Sequence, residues 1–184
     1  NQNQCIFEIM HTWLVMIKLD RQLQNDLQDL TLRPDYSVIA LFRCTQFLLK
    51  ILGLDVYGKG NITLHEFLSG LENFYLHPSK MDASLLLKYF DRGQDGRLDL
   101  KEFTLMMCPF QREYFRILKS RKGQQPGSCL DYDELFSSAT VNYIQKAFRG
   151  LLENAVAVES LRQRISNKIG IEPHLVFAQL DMYG

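Results

Sequence analysis

Four carboxylates fall within twelve residues, at the first, fifth, ninth and twelfth places of Asp91-Arg-Gly-Gln-Asp95-Gly96-Arg-Leu98-Asp99-Leu-Lys-Glu102. A hard cation such as calcium takes about six to eight oxygen ligands, and one short loop can supply them only if it turns sharply. Gly96, at the sixth place, permits that turn. Leu87 and Phe90 precede the loop and Phe103, Met106 and Met107 follow it, so a helix is expected on each side. The same skeleton stands thirty-six residues earlier, with Asp55, Gly60, Ile62 and Glu66 at places one, six, eight and twelve and Phe67 after them. This spacing predicts two helix–loop–helix units paired back to back, with Ile62 facing Leu98 across a short β-bridge.

Residues about 37 to 107 resemble an EF-hand pair of the calmodulin superfamily. The resemblance implies calcium ligands at Asp91, Asp95, Arg97 through its carbonyl, Asp99 (often through water) and Glu102 with both oxygens. The third place departs from the pattern, because Gly93 has no ligand atom and water must substitute there. Weak binding is therefore implied. In the earlier loop Tyr57 and Lys59 replace two ligands, and an ammonium in the cage opposes a divalent cation. That unit is expected to be a structural prop for the second. A degenerate third hand is expected over 112–136, with Phe115 and Leu118 closing its incoming helix. The stretch 119–129 is basic and nearly free of acids, so no metal is expected in it. A fourth hand would begin at Asp181, with its ligands beyond this chain.

Apolar residues recur at 3-4 spacing through Ile6, Ile9, Trp13, Met16, Leu23, Leu27 and Leu30, which predicts one amphipathic helix over about 5–31. Pro34 ends it. Ile144, Phe148, Leu151, Ala155, Val158 and Ile165 describe a second long helix of the same design. Each long helix leads through a proline (Pro34, Pro173) and a further apolar stretch to Leu-Asp-x-Tyr-Gly, at 54–58 and again at 180–184. The order reads as an internal repeat. In that alignment Asp20 matches Arg162, so parallel packing of the two seams would pair these charges. The chain opens Asn-Gln-Asn-Gln and stops inside the repeated motif, which is the expectation for a segment of a longer protein.

Lys plus Arg and Asp plus Glu number 21 each, a balance that argues against a nucleic-acid partner. Cys5, Cys44, Cys108 and Cys129 lie far apart and show no zinc spacing, which fits reduced thiols in an intracellular protein. No apolar run is long enough to span a bilayer. The sequence around Gly53 to Gly60 imitates a phosphate-binding loop but lacks the final Ser or Thr, and His65-Glu66 lacks the second histidine of a zinc protease. No serine, cysteine or acid has the context of a catalytic nucleophile, so an enzyme is not expected.

Ile144-Gln145-Lys-Ala-Phe-Arg149-Gly150 resembles the first half of an IQ motif, the kind of helix that calmodulin-type lobes grip. Asn154 and Ala157 stand where its second half would need a base and a larger apolar residue, and the alternative is an ordinary amphipathic helix packing on its neighbours. The basic run Arg112, Arg116, Lys119, Arg121 and Lys122 could meet an acidic surface such as a tubulin tail or an anionic membrane, or form a solvated helix end and loop.

The expected fold is all-α: a long helix over 1–34, an EF-hand pair over 35–110, and a degenerate third hand over 111–140. A second long helix over 141–170 and the start of a further hand over 171–184 complete it. The multi-hand, long-helix arrangement resembles EF-hand proteins of cilia and the axonemal cytoskeleton. It implies a calcium-binding scaffold or adaptor that works in a complex with other proteins, with a metal-free structural assembly protein as the alternative.

Overall fold

A computed structural model of the chain describes residues 2–51, 60–121 and 135–166. Over these residues the molecule is mostly helical, with one two-stranded sheet. The order is α1 (Gln2–Leu32), α2 (Val38–Ile51), β1 (Asn61–Thr63), α3 (Leu64–Asn73), α4 (Lys80–Phe90), β2 (Arg97–Asp99), α5 (Leu100–Met107), α6 (Arg112–Ser120) and α7 (Ser138–Ser166). No helix among the described residues is long and apolar enough to cross a membrane. The repeated motifs at 54–58 and 180–184, Tyr57, Lys59, the interval 122–134 and the segment 167–184 lie outside the described residues.

The strands β1 and β2 pair antiparallel, and Ile62 stands opposite Leu98 as the spacing predicts. Both side chains are fully buried. Gly60 and Gly96, the sixth residues of the two loops, both have positive φ, at 70° and 76°. A side chain there would be strained, so the shared glycine follows from the turn itself. Around the sheet, α2 packs on α3 and on α5, and the Phe42 ring meets Phe103 edge-on at 5.3 Å.

The two long helices lie against each other, but not in the parallel direction that would pair Asp20 with Arg162. Lys146 reaches Asp26 at 2.7 Å, and Gly150 lies against Leu23. Nearer the other end, the Arg33 guanidinium sits 5.8 Å from the centre of the Tyr143 ring, and its Nε donates to Thr140. Residue numbers fall along α1 as they rise along α7, so the helices are antiparallel. Asp20 and Arg162 are therefore apart, and Arg162 instead binds Glu159 on its own helix at 2.8 Å. That bond holds the Glu159 carboxyl down at about 2.

The seams themselves are as the periodicity implies: their inner residues are buried, while Trp13 stays 50 % exposed. Ile9, Leu23, Leu27 and Leu30 of α1 and Ile144, Phe148 and Leu151 of α7 are buried. What sets the direction is Asp35, just past the end of α1. Its carboxylate accepts from the Ser137 N–H at 2.7 Å and from the Thr140 hydroxyl at 2.6 Å, tying the start of α7 to the end of α1.

Burial raises the Asp35 pKa, but the hydrogen bonds from Thr140 and Ser137 outweigh it and hold the carboxyl below its ordinary value. A carboxyl with a depressed folded pKa stabilises the fold above its unfolded value, and that contribution is lost as pH falls through the folded value. Asp35→Ala is therefore expected to lower stability by about 1–2 kcal/mol at pH 7, the scale of two hydrogen bonds to a charged, part-exposed group. The difference from the parent should shrink in urea titrations as the pH is lowered through the folded value of the carboxyl. A difference that stays constant with pH would mean that the ionised carboxylate is not what ties the helices.

Candidate functional site

The helices α4 and α5 and the strand β2 frame the loop at 91–99. Ser79 caps the start of α4 by accepting from the Asp82 N–H at 3.1 Å. Its last turn delivers Asp91, whose own N–H closes onto the Leu87 carbonyl at 2.8 Å. The loop then folds around the Asp91 carboxylate, which accepts from the N–H groups of Asp95 at 3.3 Å and Gly96 at 2.8 Å. Asp95 in turn accepts from the Arg97 N–H at 2.9 Å. Gln94 takes a positive φ of 54°, a left-handed conformation that costs a non-glycine residue about 1 kcal/mol.

Glu102 closes the loop from the other side. One of its oxygens accepts from the N–H groups of Arg92 and Gly93, at 2.9 and 3.0 Å. The other accepts from the Asp99 N–H at 2.9 Å, while Asp99 accepts from the Glu102 N–H at 2.8 Å. Asp99 and Glu102 are thus both loop acids and a capping box that starts α5. Thr63 and Glu66 form the matching box at the start of α3. Ligand spacing alone misses this second role, although the signal was present. An Asp or Thr followed three residues later by Glu, ahead of an apolar run, is the signature of that cap.

All five residues expected at the metal site therefore stand on one loop and its exit helix. Asp91 and Glu102 come closest, on either side of Gly93: a side-chain carbon built on Gly93 would lie 3.8 Å from an oxygen of each. Asp95 and Asp99 are exposed on the loop surface. Among the described residues no three acids, histidines or cysteines gather closely enough to cage an ion as they stand. The donor chemistry nevertheless fits a hard divalent cation: four carboxylates and a backbone carbonyl, with no ammonium among them. Glu102 has three N–H partners but carries the lone pairs and the negative charge that such an ion requires.

The stretch that resembles half an IQ motif lies on α7. Its apolar residues Ile144 and Phe148 are fully buried within this chain, where Phe148 meets the rings of Phe67 and Phe74 on and just after α3. Arg149 remains exposed, on the rim of an open cleft of about 500 Å³ whose lining includes Leu76, Asp82, Leu152 and Val156. Of the basic run, Arg121 is not simply solvated, since it donates to the Tyr36 carbonyl at 3.0 Å. His11, His65 and His77 are exposed and scattered. Burial pushes the Cys44 and Cys108 thiols up to about 11, so neither is a thiolate nucleophile at neutral pH. Comparison with protein-family models and with curated proteins finds no match for this sequence.

Proposed function

We propose that this chain is a calcium-binding scaffold of the EF-hand type, in which one loop takes the ion and the paired helices dock other proteins. The observation that carries the proposal is the tandem of two loops of equal skeleton. They are joined through Ile62 and Leu98, each turns at a glycine of positive φ, and only the second carries acids at its first, fifth, ninth and twelfth places. Asp91, Asp95, Asp99 and Glu102 would hold calcium together with the Arg97 carbonyl. The bound ion would supply the positive charge that these acids otherwise lack, cross-linking the end of α4 to the start of α5. Glu102 sits at the hinge of that linkage, because it joins the loop to the cap of α5. Phe103, next to it, is fully buried against Phe42. Calcium is therefore read as a stabiliser of the packed unit more than as a trigger for opening it. The helical adaptor is assigned to the cell interior, in a protein assembly such as an axonemal or other cytoskeletal one.

One observation favours a second reading, a structural assembly protein that has lost the metal. The Glu102 carboxylate already satisfies three backbone N–H groups, so the loop closes on its own donors. Calorimetric titration of calcium into the chain and into Glu102→Gln separates the two. The scaffold reading expects one binding event that disappears in the variant, with a rise in Tm on adding calcium to the parent alone. No heat and no thermal stabilisation at millimolar calcium would establish the loop as a packing unit.

A further inference from the structure

The N-terminal half of α1 carries a second apolar stripe, on the face turned away from α7. Phe7, Met10, Leu14 and Ile17 follow one another at 3-4-3 spacing and are 72, 46, 57 and 57 % exposed, with Trp13 beside them at 50 %. This is the a/d period of a coiled-coil seam, narrower than the face a helix shows to a globular core. Continued along α1, the same seam passes Arg21 and reaches Gln24 and Gln28. There the chain covers it: Gln24 accepts from the Phe110 N–H at 3.0 Å, and Gln28 binds Gln111 at 2.7 Å as α6 comes across. Nothing among the described residues covers the seam from Phe7 to Ile17.

We propose that two copies of this chain pair through that seam, helix against helix and antiparallel, with Phe7 and Met10 of one copy facing Ile17 and Leu14 of the other. The chemistry is self-complementary. Between residues 7 and 17 only Glu8 and His11 can carry charge, so the face offers an ionic partner nothing to recognise. Its apolar area is roughly 600 Å² per copy, taking about 200 Å² for a large side chain in full exposure. That equals the largest patch usual on a monomer, about 300–600 Å². Doubled, it gives ~1,200 Å², the lower end of specific interfaces, so the pair should be reversible.

Direction follows from what flanks the seam. A parallel pair would set Lys18 against Lys18 and Arg21 against Arg21, and would bring two copies of α6 to the same end. An antiparallel pair about residue 12 sends these charges and both α6 helices outward. It also closes with two-fold symmetry, as most homodimers do.

Trp13 is the only tryptophan of the chain, so its emission reports this face directly. Sedimentation equilibrium of the full chain should show a shift from 21.5 kDa to twice that mass with rising concentration, and Trp13 emission should move to the blue in step. Leu14→Glu and Met10→Lys, each alone, should stay monomeric with unchanged helical circular dichroism. Their equimolar mixture should dimerise, because only antiparallel pairing places the introduced lysine of one variant chain opposite the introduced glutamate of the other. A parent that stays monomeric to hundreds of micromolar would overturn the proposal. So would a dimer that survives Leu14→Glu, a mixture that stays monomeric, or a Trp13 emission already blue and unchanged on dilution. The last result would mean that other residues of the same chain, such as 167–184, cover the seam.

Discussion

Phe148→Ala is expected to destabilise the chain by about 3–5 kcal/mol, the range for removing a fully buried phenylalanine from a core. A domain of this size is stable by only about 5–15 kcal/mol, so the variant should unfold at a far lower urea concentration. Phe148 has no exposed surface and lies where α7 meets α3. Its ring stands 6.0 Å from Phe67 at a steep 71° and 6.3 Å from Phe74 at 38°, and aromatic pairs of this kind add about 0.5–1.5 kcal/mol beyond their area. Ile144, Ala147 and Leu151, on the same face of α7, are buried with it. Those neighbours are held by the antiparallel contact with α1 and cannot collapse far into the space a benzyl group leaves. Phe148→Leu, which keeps most of the volume, should lose less than half as much. Urea titration followed by circular dichroism reads both. A cost under about 1 kcal/mol for the alanine variant would show that α7 is not seated in the core of the paired units.

The periodic parts of this architecture are legible in the sequence, and the relations between them are less so. Both long helices follow from apolar residues at 3-4 spacing, and the Ile62–Leu98 register follows from two loop skeletons set thirty-six residues apart. An amphipathic stripe marks the face a helix buries, however, and has no arrow along the axis. Aligning Asp20 with Arg162 assumed one direction, and the opposite one is built from contacts about a hundred residues apart in the chain. Asp35 is the decisive residue there, and an Asp after a Pro in a turn gives no hint of its distant partners. The seam that carries the dimer proposal was written in the sequence too, as a second 3-4 stripe through Phe7, Met10, Leu14 and Ile17. It runs beside the stripe that the helix buries, so the two overlap in one apolar segment. The acids of the loop were legible as a donor set, but their backbone bonds were not. Ligand spacing does not say where carboxylates point when three N–H groups compete for one of them.

That competition makes Gly93 the most informative position in the loop. A side-chain carbon built there stands 3.8 Å from Asp91 Oδ1 and 3.8 Å from Glu102 Oε1, ordinary contact distance, so the first carbon of Gly93→Asp meets no clash. The Gly93 N–H keeps its bond to Glu102, since only a side chain is added. Without metal, a fifth carboxylate among four should cost stability, by up to about 1 kcal/mol in a loop open to water. With calcium the sign reverses, because the place that lacks a ligand atom gains one. Ligand charge count is a main control on the affinity of such loops, and binding should tighten about ten- to a hundredfold, or about 1.4–2.7 kcal/mol. Thermal unfolding with and without calcium reads both effects on one sample: a Tm below the parent's in chelator, and a larger calcium-induced rise. If the loop serves only to pack α4 against α5, the chelator result will stand and calcium will change nothing. The single substitution therefore distinguishes a weak site missing one ligand from a loop that has exchanged its metal for its own backbone.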